Sequence, residues 1–277
     1  MDSTFKVACV QNCAEADLER NIADCEALTR EAAAAGARLI CLPEHFACLT
    51  RNDADMLAAA VPEAAHPALD RFRVLACELR CWLLLGSLAI KLPGGKINNR
   101  SFLIDDAGGI TARYDKAHLF DVTLKGGETY LESSAVEPGN SAVIARLPWG
   151  NLGMSVCYDL RFAYLYRMLA QGGAEFLSIP AAFTRTTGVA HWHVLVRARA
   201  IETGCFVFAP GQCGVRSWGR ATFGHSLIVD PWGAVLAEAG DEQGYVIAEV
   251  DPARVAEVRA MIPSLRHDRD IRPPTKA

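Results

Sequence analysis

The sequence predicts an α/β fold built on two mixed β-sheets with helices packed outside them. Three observations carry this. Strand-like and helix-like segments alternate along the whole chain. Both halves interleave β-hairpins with helices instead of running in plain βαβ order. The 277 residues are 51% hydrophobic and 22% charged, which is ample for a large buried core. A four-layer α-β-β-α sandwich satisfies the pattern, as do other α/β arrangements.

The elements follow in order. "FKVACVQ" reads as a first strand, and residues 16–35 carry apolar side chains at helical spacing up to a stop at Gly36. "ARLICLPE" is a short apolar strand of the kind buried on both faces. A helix over about 67–80 opens at Pro67. "CWLLLGSLAI" is a strand, "LPGGKIN" a hairpin turn, and "NRSFLID" and "ITARYDK" are the returning strands around "DAGG". The second half repeats this rhythm. "SAVIARL" and "LGMSVCYD" flank "PWGN", residues 161–171 are helical, "GGAEFLSIP" is a turn and strand, and 191–203 is a helix. "CFVFAP", "GHSLIVD", "AVLAEAG" and "YVIAEVD" are strands, with "DPWG" as a tight hairpin turn. A last helix at about 252–261 leads into a polar tail from about 263. With no linker or low-complexity tract, 1–277 reads as a single domain.

Composition excludes several functions. The net charge is −4, with Lys and Arg scattered, so neither a nucleic-acid surface nor a polybasic membrane patch is expected. The longest apolar run falls well short of the roughly 20 residues of a membrane helix. "MDSTFKVACVQ" does not read as a signal peptide, so a cytoplasmic protein is expected. Ten cysteines at irregular spacing do not form a secreted disulfide framework. Cys9/Cys13 and Cys77/Cys81 are spaced CxxxC but lack the matching second pairs of a zinc site. Residues two apart on a helix face different sides, so His191 and His193 read as packing residues and not as a metal pair.

Three apolar strands end on chemistry-bearing residues: "LICLPEHF" on Glu44, "ITARYDKAHLF" on Lys116 and "GMSVCYDLRF" on Cys157. In open α/β sheets, groups just past strand C-terminal ends collect in one cleft. A thiol beside an ammonium and a carboxylate is a coherent nucleophile: the ammonium favours thiolate and the carboxylate takes the proton. The same ammonium, with the Tyr158 N–H, could stabilise an oxyanion. Taken singly, Glu44 reads as a solvated turn residue, Lys116 as a surface lysine and Cys157 as core.

Together the three segments resemble the signature segments of the nitrilase superfamily of carbon–nitrogen hydrolases. The resemblance runs from "VACVQ" through "NNRSFLID" to "GHSLIVDPWG" and "AEVD". It implies the four-layer α-β-β-α fold, with Glu44 as general base, Lys116 as oxyanion stabiliser and Cys157 as nucleophile. Glu132, in "TYLESS", would orient base and water. The reaction would be amide hydrolysis through a thioester, with no cofactor and no metal, by a homodimer or higher homo-oligomer. "PAAFTRTTGVAHWHVLVRARAIETGCFVFAPGQCG" is similar to the Nit subfamily, on its deaminated-glutathione amidase side. That implies a small anionic amide, deaminated glutathione before α-ketoglutaramate, which an ω-amidase would take. A carbamoylase and a non-catalytic binding protein are the rival readings. Ala163, Tyr164 and His193 depart from the subfamily pattern near the expected pocket rim. Arg161, Arg185 and His193 are the residues expected to meet the substrate's carboxylate.

Overall fold

The computed structural model describes residues 4–124 and 129–275, so the first three residues of the N-terminal stretch and the last two of the tail lie outside the described residues. The first half runs β1 (Phe5–Gln11), α1 (Leu18–Ala34), β2 (Ala37–Cys41), α2 (Asp53–Ala59), α3 (Pro67–Leu79), β3 (Trp82–Lys91), β4 (Ile97–Ile104), β5 (Ile110–Asp115), β6 (Asp121–Thr123) and β7 (Thr129–Leu131). The second runs β8 (Val143–Leu147), β9 (Gly150–Met154), α4 (Ala163–Gln171), β10 (Phe176–Ser178), α5 (Arg185–Thr203), β11 (Phe206–Ala209), β12 (Leu227–Val229), β13 (Val235–Glu238), β14 (Gly244–Val250) and α6 (Ala253–Met261).

Two six-stranded sheets form, ordered β14-β1-β2-β3-β4-β5 and β8-β9-β10-β11-β12-β13. Read in that order, each sheet pairs antiparallel, parallel, parallel, antiparallel, antiparallel. The inner faces share one core. Val7, Cys9, Leu39, Leu84 and Leu103 of the first sheet pack in the same cluster as Leu147, Met154, Phe176, Phe208 and Ile228 of the second. The outer face of the first sheet meets α1 and α3 through Ile22, Cys25, Phe72 and Leu75. The second is covered by α4 and α5 through Leu165, Leu169, Trp192 and Val196. This is the four-layer sandwich, and it forms because strands apolar on both faces need cover on both sides.

Local rules account for the boundaries. Asp17 caps α1 by accepting the Arg20 N–H, and Gly36 leaves it at φ 95°. Pro67 opens α3, and Arg80 closes it in the left-handed region. The structure differs from the sequence reading in three places. The helix expected at 191–203 starts at Arg185, because the Thr184 hydroxyl caps it and buried Gly188 lies against Phe223. The helix expected at 161–171 splits into a 3₁₀ turn, Cys157–Arg161, and α4. The helix α2 and the β6–β7 ribbon had no sequence signal: α2 buries none of its residues, and so has no apolar stripe to read.

Candidate active site

Each catalytic candidate sits just past the C-terminal end of a strand: Glu44 after β2, Lys116 after β5 and Cys157 after β9. The backbone there is tightly held. Gly86 lies in a bulge of β3, and a Cβ on it would stand 2.0 Å from the Leu42 carbonyl oxygen, so only glycine lets β3 pass the Glu44 segment. Its neighbour Ser87 accepts the His45 N–H at 3.0 Å. A Cβ on Gly139 would likewise stand 2.1 Å from the Asp115 oxygen, and the Gly139 N–H donates to the Lys116 carbonyl. Cys157 itself adopts φ 50°, as His45 adopts φ 52°, both costly for side-chain-bearing residues. The Cys157 N–H donates to the Pro180 carbonyl at 2.9 Å.

Asp159 fastens the Cys157 turn to the Lys116 segment. Fully buried, it accepts from Tyr114 Oη at 2.8 Å, the His118 N–H at 3.0 Å, His118 Nδ1 at 2.6 Å and the Val156 N–H at 2.9 Å. These bonds occupy the carboxylate, so it is not available as an ion partner for Arg161.

The candidates meet. Lys116 Nζ donates to Glu44 Oε1 at 2.9 Å and to Glu132 Oε1 and Oε2 at 3.0 and 2.8 Å. Asn99 Nδ2 bridges the same carboxylates, at 2.9 Å to Glu44 and 3.2 Å to Glu132. The Phe120 N–H holds Glu132 at 2.6 Å, and the Ala182 N–H holds Glu44 Oε2 at 2.8 Å. The Cys157 thiol and the Glu44 carboxylate interact, each shifting the other's titration. Lys116 stands between two carboxylates where a cation would otherwise be needed, and all three candidates are buried.

Charge follows from this packing. Burial pushes the Glu44 carboxyl up, but Lys116, His45 and the hydrogen bonds from Cys157 and Lys116 outweigh it and hold it at about 2. Burial and the Glu44 carboxylate push the Cys157 thiol up, against the pull of Lys116. The ammonium does not win, contrary to the expectation that it would favour thiolate. Burial disfavours charged Lys116, yet Glu132, Glu44 and Cys157 raise it. The resting site is therefore carboxylate, ammonium and neutral thiol.

These groups line a cavity of about 570 Å³, together with Tyr158, Tyr130, Thr184, Thr187, Trp218 and Arg220 among others. Three predicted substrate contacts are not in that lining. Arg185 is exposed at the start of α5, where Thr184 and Thr187 take the inner positions. Arg161 stacks over the Tyr158 and Phe183 rings at 5.7 and 5.2 Å and faces His191 at 3.3 Å. His193 bonds to Glu238 at 2.8 Å, a carboxylate it shares with His225, and Trp192 takes the inward position on that turn. Of the departures, Tyr164 bonds His118 Nε2 at 2.5 Å through its hydroxyl, and Ala163 is exposed. Sequence reasoning missed Asn99, Gln212, Trp218 and Arg220. Asn99 stands out afterwards as a polar residue in a strand buried along most of its length.

The carbon–nitrogen hydrolase family model matches residues 6–260. The chain is 42% identical to a deaminated glutathione amidase of Synechocystis, over 95% of this chain and 97% of the relative. It superposes on the Caenorhabditis elegans NitFhit protein with a TM-score of 0.90 and 36% identity, covering 96% of this chain and 65% of that one. It also superposes, with a TM-score of 0.78 and 26% identity over 94% and 95% of the two chains, on a mutant of an amidase from Nesterenkonia. That structure shows covalent addition of the acetamide moiety of fluoroacetamide at its active-site cysteine. The chain thus belongs to the carbon–nitrogen hydrolase family of the nitrilase superfamily and is an amidase, acting on carbon–nitrogen bonds other than peptide bonds.

Proposed function

We propose that the protein hydrolyses a small amide carrying a carboxylate, deaminated glutathione first, through Cys157, Glu44 and Lys116, with Glu132 as a positioning residue. The observation that carries this is the buried Glu44–Lys116 ion pair sharing one cavity wall with Cys157. The substrate choice rests on the activity named for the Synechocystis relative.

With the thiol neutral at rest, proton transfer accompanies attack instead of preceding it. As the sulfur bonds to the amide carbon, its proton passes to Glu44. The carbonyl oxygen becomes an oxyanion, met by Lys116 Nζ and by the Tyr158 N–H at the start of the 3₁₀ turn. Glu44 gives the proton to the amide nitrogen, the C–N bond breaks and ammonia leaves. A thioester remains on Cys157. Glu44 then takes a proton from water as the water oxygen attacks the thioester carbon, and returns it to the sulfur as the carboxylic acid departs.

The test is ammonia release from a panel of amides, with mass spectrometry of the quenched enzyme. Deaminated glutathione should give the highest kcat/KM, and Cys157 should carry the acyl group. α-Ketoglutaramate as the best substrate, or no adduct on Cys157, would overturn the reading.

A homodimer formed over α4 and α5 is proposed as well, on the exposed apolar side chains Tyr164, Met168, Val189, Val194 and Ile201. Sedimentation equilibrium should give twice the chain mass, and Met168→Glu with Val194→Glu should return the monomer.

A further inference from the structure

Residues 215–221 form a turn at the cavity, closed by the Val215–Ala221 bridge and the Arg216 N–H to Arg220 carbonyl bond at 2.9 Å. Its anchor is Arg216. That side chain is almost fully buried and donates to the carbonyls of Ala14, Cys213 and Gly214 at 3.0, 2.6 and 3.1 Å, and also to Thr222 and Gln212. Gln212 in turn donates to the Glu44 and His45 carbonyls at 2.8 and 3.0 Å. The turn is thus built rigidly onto the segment that carries Glu44.

Two donors on this turn are left over. Arg220 Nε and Trp218 Nε1 are both buried, and neither has a hydrogen-bond acceptor among the described residues. Both residues line the cavity of Cys157. Arg220 packs over the Tyr130 ring at 5.3 Å, which supports the guanidinium from its face. Lys116 is different, since Glu44 and Glu132 already hold it. A buried polar donor is costly unless paired, and a planar guanidinium suits a planar anion with two acceptor oxygens, with an indole N–H two residues away on the same cavity-lining turn.

We infer that Arg220 and Trp218 bind the carboxylate of the amide substrate, and so set the protein's preference for anionic over neutral amides. Arg220 takes the part that the sequence suggested for Arg161 or Arg185. The identity of the ligand as an amide rests on the proposed function; the anion site itself rests on the two unpaired donors.

The test compares glutaramate with valeramide, which has the same chain length and no carboxylate. Calorimetric titration of Cys157→Ala avoids turnover. Glutaramate should bind at least tenfold tighter than valeramide, since a hydrogen-bonded charge contributes about tenfold to hundredfold in affinity. In Cys157→Ala with Arg220→Gln the ratio should fall to within twofold. Arg220→Lys keeps the charge and loses the fork, so it should keep part of the preference, and Trp218→Phe should lose a smaller part. In the active enzyme, Arg220→Gln should lower the glutaramate to valeramide ratio of kcat/KM at least tenfold, through KM. A ratio near one in Cys157→Ala, or a ratio that survives Arg220→Gln, overturns the inference. If Arg220→Gln does not fold, the lysine and Trp218→Phe variants decide, and an unchanged ratio in both overturns it. Absence of ammonia release from carboxylate-bearing amides by the wild type overturns the proposed function alone, because the titration needs no turnover.

Discussion

At the scale of single residues, Lys116 and the Glu44 and Glu132 carboxylates hold one another, so the proposed catalytic residues are expected to act as one unit. Cys157→Ser, Glu44→Gln and Lys116→Ala should each lower kcat/KM by about a thousandfold or more, and the double variants should lose little beyond the singles. Steady-state kinetics on the six proteins checks this; losses that multiply would mean independent roles. The pH dependence follows from Glu44. Its carboxyl is held at about 2, below its ordinary 4.5, so the acid limb of kcat/KM should not have a midpoint near pH 6. A depressed carboxyl contributes stability above its unfolded value and loses it as pH falls through the folded one. The stability gap between wild type and Glu44→Gln in urea melts should therefore be full at pH 7 and close between about pH 4.5 and 2. Much of this was legible in sequence, because Glu44, Lys116 and Cys157 each end an apolar strand. Arg220 was not: it lies in a short turn with no periodicity, and only the folded chain shows that its Nε has no acceptor among the described residues.

At the scale of elements, precision comes from close backbone approaches and one buried carboxylate. Gly86→Ala would push a methyl into the Leu42 carbonyl and should cost about 1–3 kcal/mol, with a fall in kcat as Glu44 shifts. Thermal melts and kinetics on the purified variant would show a neutral result if β3 had slack. Asp159→Asn should also lower kcat, since an amide cannot accept all four of the bonds that clasp the Cys157 turn to Tyr114 and His118. Most strands of the two six-stranded sheets were legible as apolar runs bounded by turn residues, whereas β6 and β7 were not. The start of α5 was not, since "RTTG" is a poor helix former that tertiary burial overrides.

At the scale of the whole molecule, the pairing order of the two sheets has an outcome for synthesis. The first sheet is completed by the last strand: β14 zips along all seven residues of β1, from Phe5 opposite Val250 to Gln11 opposite Gly244. A nascent chain must be synthesised through residue 250, past all the other described strands, before β1 gains that neighbour. Until then, a strand whose residues are nearly all buried in the finished molecule has an unpaired edge. Such long-range closure is slow to fold and open to aggregation on the way. Truncation after Asp241 should yield insoluble protein even though Glu44, Lys116 and Cys157 all remain, and co-expressing residues 242–277 as a separate peptide should recover part of the soluble fraction. For this chain the pairing of β1 with β14 makes the synthesis of residues 244–250, more than the chemistry, the point at which a complete first sheet is first possible.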